Sequence, residues 1–98
     1  MGYRTRMTTK SRMRIECDGW FDTITIGSIH DDLEESVVVR SDFDDKEVTL
    51  QRGEAMVVML GEEPVTIKFC GIARDRGIGS HPVTMVFSAG KKVKFDEL

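Results

Sequence analysis

Residues 12–26 read Arg12-Met13-Arg14-Ile15-Glu16-Cys17-Asp18-Gly19-Trp20-Phe21-Asp22-Thr23-Ile24-Thr25-Ile26, two alternating segments joined by Asp-Gly. A two-residue type I′ turn needs positive φ at both central positions, which Gly adopts freely and Asp tolerates. The turn sets the strand register: Cys17 opposite Trp20, Ile15 opposite Asp22 and Met13 opposite Ile24. Met13, Ile15, Cys17, Trp20, Ile24 and Ile26 then share a core-facing side. Arg12, Arg14, Glu16, Phe21, Thr23 and Thr25 share the other. Asp22 falls among the apolar residues, so it must reach water or a donor, because an unpartnered buried carboxylate is costly.

Beyond this hairpin, Gly27 and Ser28 interrupt the alternation. Ser28-Ile29-His30-Asp31 carries helix-start chemistry, with Ser28 as N-cap and Asp31 near the reciprocal position, so one short helix of at most two turns, or a loop, is expected near 28–35. Ser36-Val37-Val38-Val39-Arg40 has the β-branched density of a strand, and its 37–40 portion is a candidate exposed strand. An acidic turn, 41–45, precedes a strand restarting at Val48 and Leu50. Gln51-Arg52-Gly53 makes a bend. The run 54–60 is apolar at nearly every position, which predicts a central strand. Gly61-Glu62-Glu63-Pro64 is a hairpin connection to the alternating Val65, Ile67 and Phe69. After the long irregular stretch 71–81, Pro82 opens a strand containing Val83, Met85 and Phe87. The segment 91–95 ends the series, with lysines outward as on an edge strand.

About eight short strands separated by turn signals predict one all-β domain, a small antiparallel sandwich or barrel. Its expected span is residues 11–98, behind a flexible basic arm at 1–10. The chain has 98 residues, 40% hydrophobic and 32% charged, which suits a single globular core. Residues 1–14 hold five basic residues and no acid, against nine basic and seventeen acidic residues in the rest. No apolar run approaches the roughly 20 residues needed to span a bilayer, and no apolar h-region follows the basic start. Cys17 and Cys70 stand apart, outside any Cys-x-x-Cys pair, and read as small buried hydrophobes in a reducing, cytoplasmic protein. A disulfide between them requires their strand ends to meet.

Catalytic and metal signals are sparse. Cys17, Cys70, His30 and His81 have zinc-ligand chemistry but match no finger spacing. Asp42, Asp44, Asp45 and Glu47 lack the glycine and distal Glu of a calcium loop, so a solvated acidic turn is expected. No cofactor and no metal is expected. The loop Arg74-Asp75-Arg76-Gly77-Ile78-Gly79-Ser80 offers two arginines for bidentate anion contact and two glycines for close main-chain approach. Arg74, Arg76, Gly77, Gly79 and Ser80 are therefore candidate anion ligands.

Two partial resemblances accompany these residues. Arg76-Gly77-Ile78-Gly79-Ser80 resembles part of the glycine-rich, phosphate-covering arm of dUTPases, although the family's other motifs are absent. Leu50-Gln51-Arg52-Gly53-Glu54, Leu60-Gly61-Glu62-Glu63-Pro64-Val65-Thr66-Ile67 and Gly71-Ile72 resemble the strand–turn–strand opening of the carbon-storage-regulator family of RNA-binding β proteins. Here a long β segment precedes that stretch, and lysines and acids replace the family's terminal arginine-bearing strand.

Three functional expectations follow. The first is a non-enzymatic accessory or regulatory module that binds a protein partner or self-associates through an edge strand or loop face. Small acidic β proteins of bacteria and their viruses often work this way. The alternative is single-stranded nucleic-acid binding by Arg12, Arg14, Phe21, Thr23 and Thr25, extended by Arg4, Arg6 and Lys10. The third is nucleotide or phosphate binding by the 74–80 loop.

Overall fold

The computed structural model describes residues 2–31, 33–43, 45–73 and 82–98. Asp18 and Gly19 both have positive φ, 49° and 84°, so the first turn is type I′. It joins β2 (Arg12–Cys17) to β3 (Trp20–Asp31) with Cys17 opposite Trp20, Ile15 opposite Asp22 and Met13 opposite Ile24. The expected register is the observed one.

The expected helix near 28–35 is absent: β3 continues to Asp31 and pairs with β4 (Glu35–Ser41). The register shifts between Ile26 and Ser28, so Gly27 marks a β-bulge rather than the end of the strand. A ladder to β4 satisfies the backbone of residues 28–31, whereas a two-turn helix carries the full cost of nucleation. The strands β5 (Lys46–Gln51) and β9 (Lys94–Glu97) complete a five-stranded sheet ordered β5-β4-β3-β2-β9. In it β4 is internal, with Val37 and Val39 fully buried, so residues 37–40 are not an exposed edge.

The second sheet is ordered β1-β8-β7-β6 and comprises β1 (Gly2–Met7), β6 (Ala55–Leu60), β7 (Glu63–Ile72) and β8 (Val83–Ser88). The basic stretch expected as a flexible arm is largely this first strand, paired with β8 from Gly2–Ser88 to Met7–Val83. Its period-two pattern explains the pairing: Met7 is buried and Tyr3 and Thr5 are half-buried, while Arg4 and Arg6 are exposed. All pairings in both sheets are antiparallel, and the two sheets pack as a small sandwich.

The core lies between the sheets. Val65, Ile67, Phe69, Val83, Met85 and Phe87 from one meet Met13, Ile15, Ile24, Ile26, Val37, Val39 and Leu50 from the other. Burying each such side chain is favourable by roughly 1.5–3 kcal/mol for the larger ones. Along one flank Tyr3 stacks on Phe95 at 5.7 Å, and Phe95 meets Phe87 at 5.8 Å, joining β1 to β9. Asp22 is only 2% exposed. Its Oδ1 accepts from the Thr23 amide at 2.7 Å and the Phe43 amide at 3.0 Å, and its Oδ2 accepts from the Ser41 hydroxyl. The carboxylate thus has the donors its burial demands.

Trp20 departs from the core expectation. It lies on the predicted side of β3 but at the turn end, and half of its surface stays exposed. Its ring lies against the β6–β7 turn and meets Phe43 edge-on at 6.2 Å. Gly61 has φ 66° at the first position of that two-residue turn, the type II′ arrangement. A Cβ there would come 2.9 Å from Trp20 Nε1, so the close approach requires glycine.

Candidate functional site

The five residues expected to form a basic nucleic-acid face do share one surface. Arg12 lies opposite Thr25, Arg14 opposite Thr23, and Glu16 opposite Phe21. The Arg14 guanidinium sits 4.8 Å from the Phe21 ring centroid, a cation–π geometry. Strand β9 changes the electrostatics, because it brings Asp96 opposite Arg14 and Lys94 opposite Glu16. Arg14 also lies 4.0 Å from Glu16. On the same sheet, Arg40 pairs across from Glu47 and contacts Asp45 at 2.5 Å and Asp42 at 3.8 Å. The face is therefore a checkerboard of both signs rather than a basic track. Arg74, Arg76, Gly77, Gly79 and Ser80 lie outside the described residues, as does His81.

Cys17 is buried at one end of the sandwich, beside an open cleft of about 600 Å³ also lined by Asp18, Trp20, Leu60, Gly61, Glu62, Glu63 and Lys92. Burial pushes its thiol up from the ordinary value of 9.0, Asp18 and Glu63 add to the rise, and Lys92 opposes it. A thiol held in its neutral form is a poor nucleophile. Cys17 and Cys70 are both free, the latter half-buried at the bulge of β7 between Phe69 and Gly71. His30 contacts Ser28 Oγ at 3.1 Å. Among the described residues, no three His, Cys, Asp or Glu side chains converge as a cation-binding group.

The feature that sequence reasoning missed is the status of β6. Its apolar run predicts a central strand, yet β6 is an edge strand of the four-stranded sheet. Met56, Val58 and Leu60 face the core, while Val57 and Met59 are 54% and 51% exposed on the outer side. Among the described residues the sandwich has four edge strands. Strand β1 carries Arg4 and Arg6, β5 carries Lys46 and Glu47, and β9 carries Lys94, Asp96 and Glu97. Strand β6, Ala55-Met56-Val57-Val58-Met59-Leu60, carries no charge at all. Charged edge side chains are the usual protection against strand addition, and among the described edge strands β6 alone lacks them.

The hydrogen-bonding direction of β6 follows from its pairing. Leu60 and Glu63 close the two-residue turn, and the Phe69 amide donates to the Glu54 carbonyl at 3.0 Å. Main-chain groups of residues 54, 56, 58 and 60 therefore point toward β7. Those of Ala55, Val57 and Met59 point to the open side, where no described strand pairs with them. The outer surface beside them is uncharged apart from Lys68, with Pro64 opposite Met59 and Thr66 opposite Val57. Comparison with protein-family models, curated proteins and solved structures finds no match to the chain.

Proposed function

We propose that this chain is a non-enzymatic interaction domain whose working surface is the β6 edge. The observation that supports it is the uncharged edge strand, which presents main-chain donors and acceptors on three alternate residues beside exposed Val57 and Met59. An extended segment laid along this edge gains ladder hydrogen bonds and covers the apolar side chains together, as in recognition by strand addition. Its preferred occupant is an extended, uncharged, apolar strand, because a charged residue opposite Val57 would be desolvated without a partner. The protonated Cys17 thiol and the mixed-sign face of the five-stranded sheet give less support to catalysis or to nucleic-acid binding.

The test is native mass measurement of the purified protein and whatever protein it retains, after nuclease treatment, for wild type and Val57→Lys. The substituted side chain is exposed, so the fold tolerates it. Wild type should carry added protein mass that Val57→Lys loses while its far-ultraviolet circular dichroism stays that of the folded β protein. Its melting temperature should fall only by the stabilisation that binding had added. Bound protein indifferent to Val57→Lys would overturn the reading.

A further inference from the structure

Building on that reading, we infer that the strand received by the β6 edge is β6 of a second copy, antiparallel and related by a two-fold axis through Val57. A two-fold axis perpendicular to the sheet keeps the outer side of both copies on one side of the joined sheet. Residues of like orientation must then face one another. Centring on Val57 pairs all three open-side residues: Ala55 with the second copy's Met59, Val57 with Val57, and Met59 with Ala55. Each is a hydrogen-bonded pair, so about six new main-chain bonds form across the axis. The small Ala55 side chain leaves room for the long Met59 opposite, and the two valines meet at the centre.

Charge at the strand ends selects the same arrangement. Arg52 lies five residues before Val57 and Glu62 five residues after it. Both are exposed; the Arg52 side chain lies beside Gly71 of β7, with its guanidinium 3.9 Å from Glu35 in a pair open to solvent. Antiparallel pairing puts Arg52 of each copy at the same end of the joined strands as Glu62 of the other. A parallel arrangement would instead set Arg52 against Arg52 and Glu62 against Glu62, which is repulsive. The product is one continuous eight-stranded sheet in which neither copy retains an uncharged edge.

Sedimentation equilibrium of the purified chain tests this, with Val57→Lys and, as control, Thr49→Lys on the exposed side of the β5 edge. Wild type and Thr49→Lys should sediment at twice the chain mass. Val57→Lys, which sets two lysines face to face, should weaken association about tenfold or more. The register is read by oxidation. Cα atoms in such a pair lie about 5.5 Å apart, within disulfide range. Val57→Cys should therefore cross-link between copies where Thr49→Cys does not. A wild type that stays monomeric, a dimer indifferent to Val57→Lys, or cross-linking through position 49 would each overturn the self-pairing. A monomer whose retained foreign protein is lost with Val57→Lys would overturn self-pairing while leaving strand addition standing. Indifference of every association to Val57→Lys would remove both.

Discussion

Replacing Asp22 by alanine tests the reasoning at its most exposed point. The carboxylate holds together three elements: β3 through Thr23, β4 through the Ser41 hydroxyl, and the following turn through the Phe43 amide. Alanine leaves three donors facing a site that water reaches poorly, since Asp22 is 2% exposed. Hydrogen bonds to charged groups contribute about 1.5–3 kcal/mol each, but three on one carboxylate are not additive. A total of about 3–5 kcal/mol is expected, the range for removing one partner of a buried charged contact. For a domain of this size that lowers the melting temperature by roughly 15–30 °C. Asp22→Asn is the informative companion. Its carbonyl can keep both amide bonds while the Ser41 hydroxyl rotates to accept from the new NH2 group, so the cost should fall to about 1 kcal/mol. Urea titration of the three proteins at one pH measures these differences, and amide exchange at Thr23 and Phe43 locates them. An Asp22→Ala protein within about 1 kcal/mol of wild type, or an Asn variant equal to Ala, would refute the account.

Gly61→Ala should cost about 1–3 kcal/mol, because alanine is strained at φ 66° and its Cβ meets Trp20. Adding Trp20→Ala should recover the steric part and leave the backbone part, as read by denaturant titration. Tyr3 is raised above its ordinary value of 10.0 by burial, then by Glu97 and Asp96. The folded state thus holds that proton longer, so its contribution is intact below pH 10 and is lost as pH rises past it. Thermal melts between pH 9 and 11.5 should show this fall, and it should shrink in Tyr3→Phe. Because acids interleave the Arg12 face, Arg12→Ala with Arg14→Ala should leave affinity for a labelled single strand within about twofold, and a drop in salt slope of about 1.4 would instead restore the nucleic-acid reading.

Much of the fold was legible because it is local. Asp18-Gly19 dictates its own turn, the turn dictates the register, and the register puts Asp22 in the core and obliges it to find donors. Strands β7 and β8 were legible from alternation alone. What escaped was either masked by a stronger signal or non-local. In β1 the charge of Arg4 and Arg6 hid a period-two pattern with Tyr3, Thr5 and Met7 on the other side. At Gly27 a broken alternation looked like a helix start, since one residue inserted into a ladder and the end of a strand leave the same local mark. The five residues proposed for nucleic acid were correctly grouped on one face, yet the sign of that face was set by Asp96, more than 80 positions from Arg14.

The sequence by itself determined the strand class, the first hairpin and the inward sides of β2, the first half of β3, β7 and β8, because turn chemistry and alternation act between near neighbours. The outward lysines marked the last strand as an edge, as β9 is, but only tertiary structure showed that β6 is one too. An apolar run such as 55–60 records that both of its sides avoid charge. It does not record whether a neighbour covers the outer one. That depends on which distant segments close the sheet, and here β8 and β1 extend it on the far side of β7. Strand β6 is left at the margin, uncharged and with no described strand beyond it.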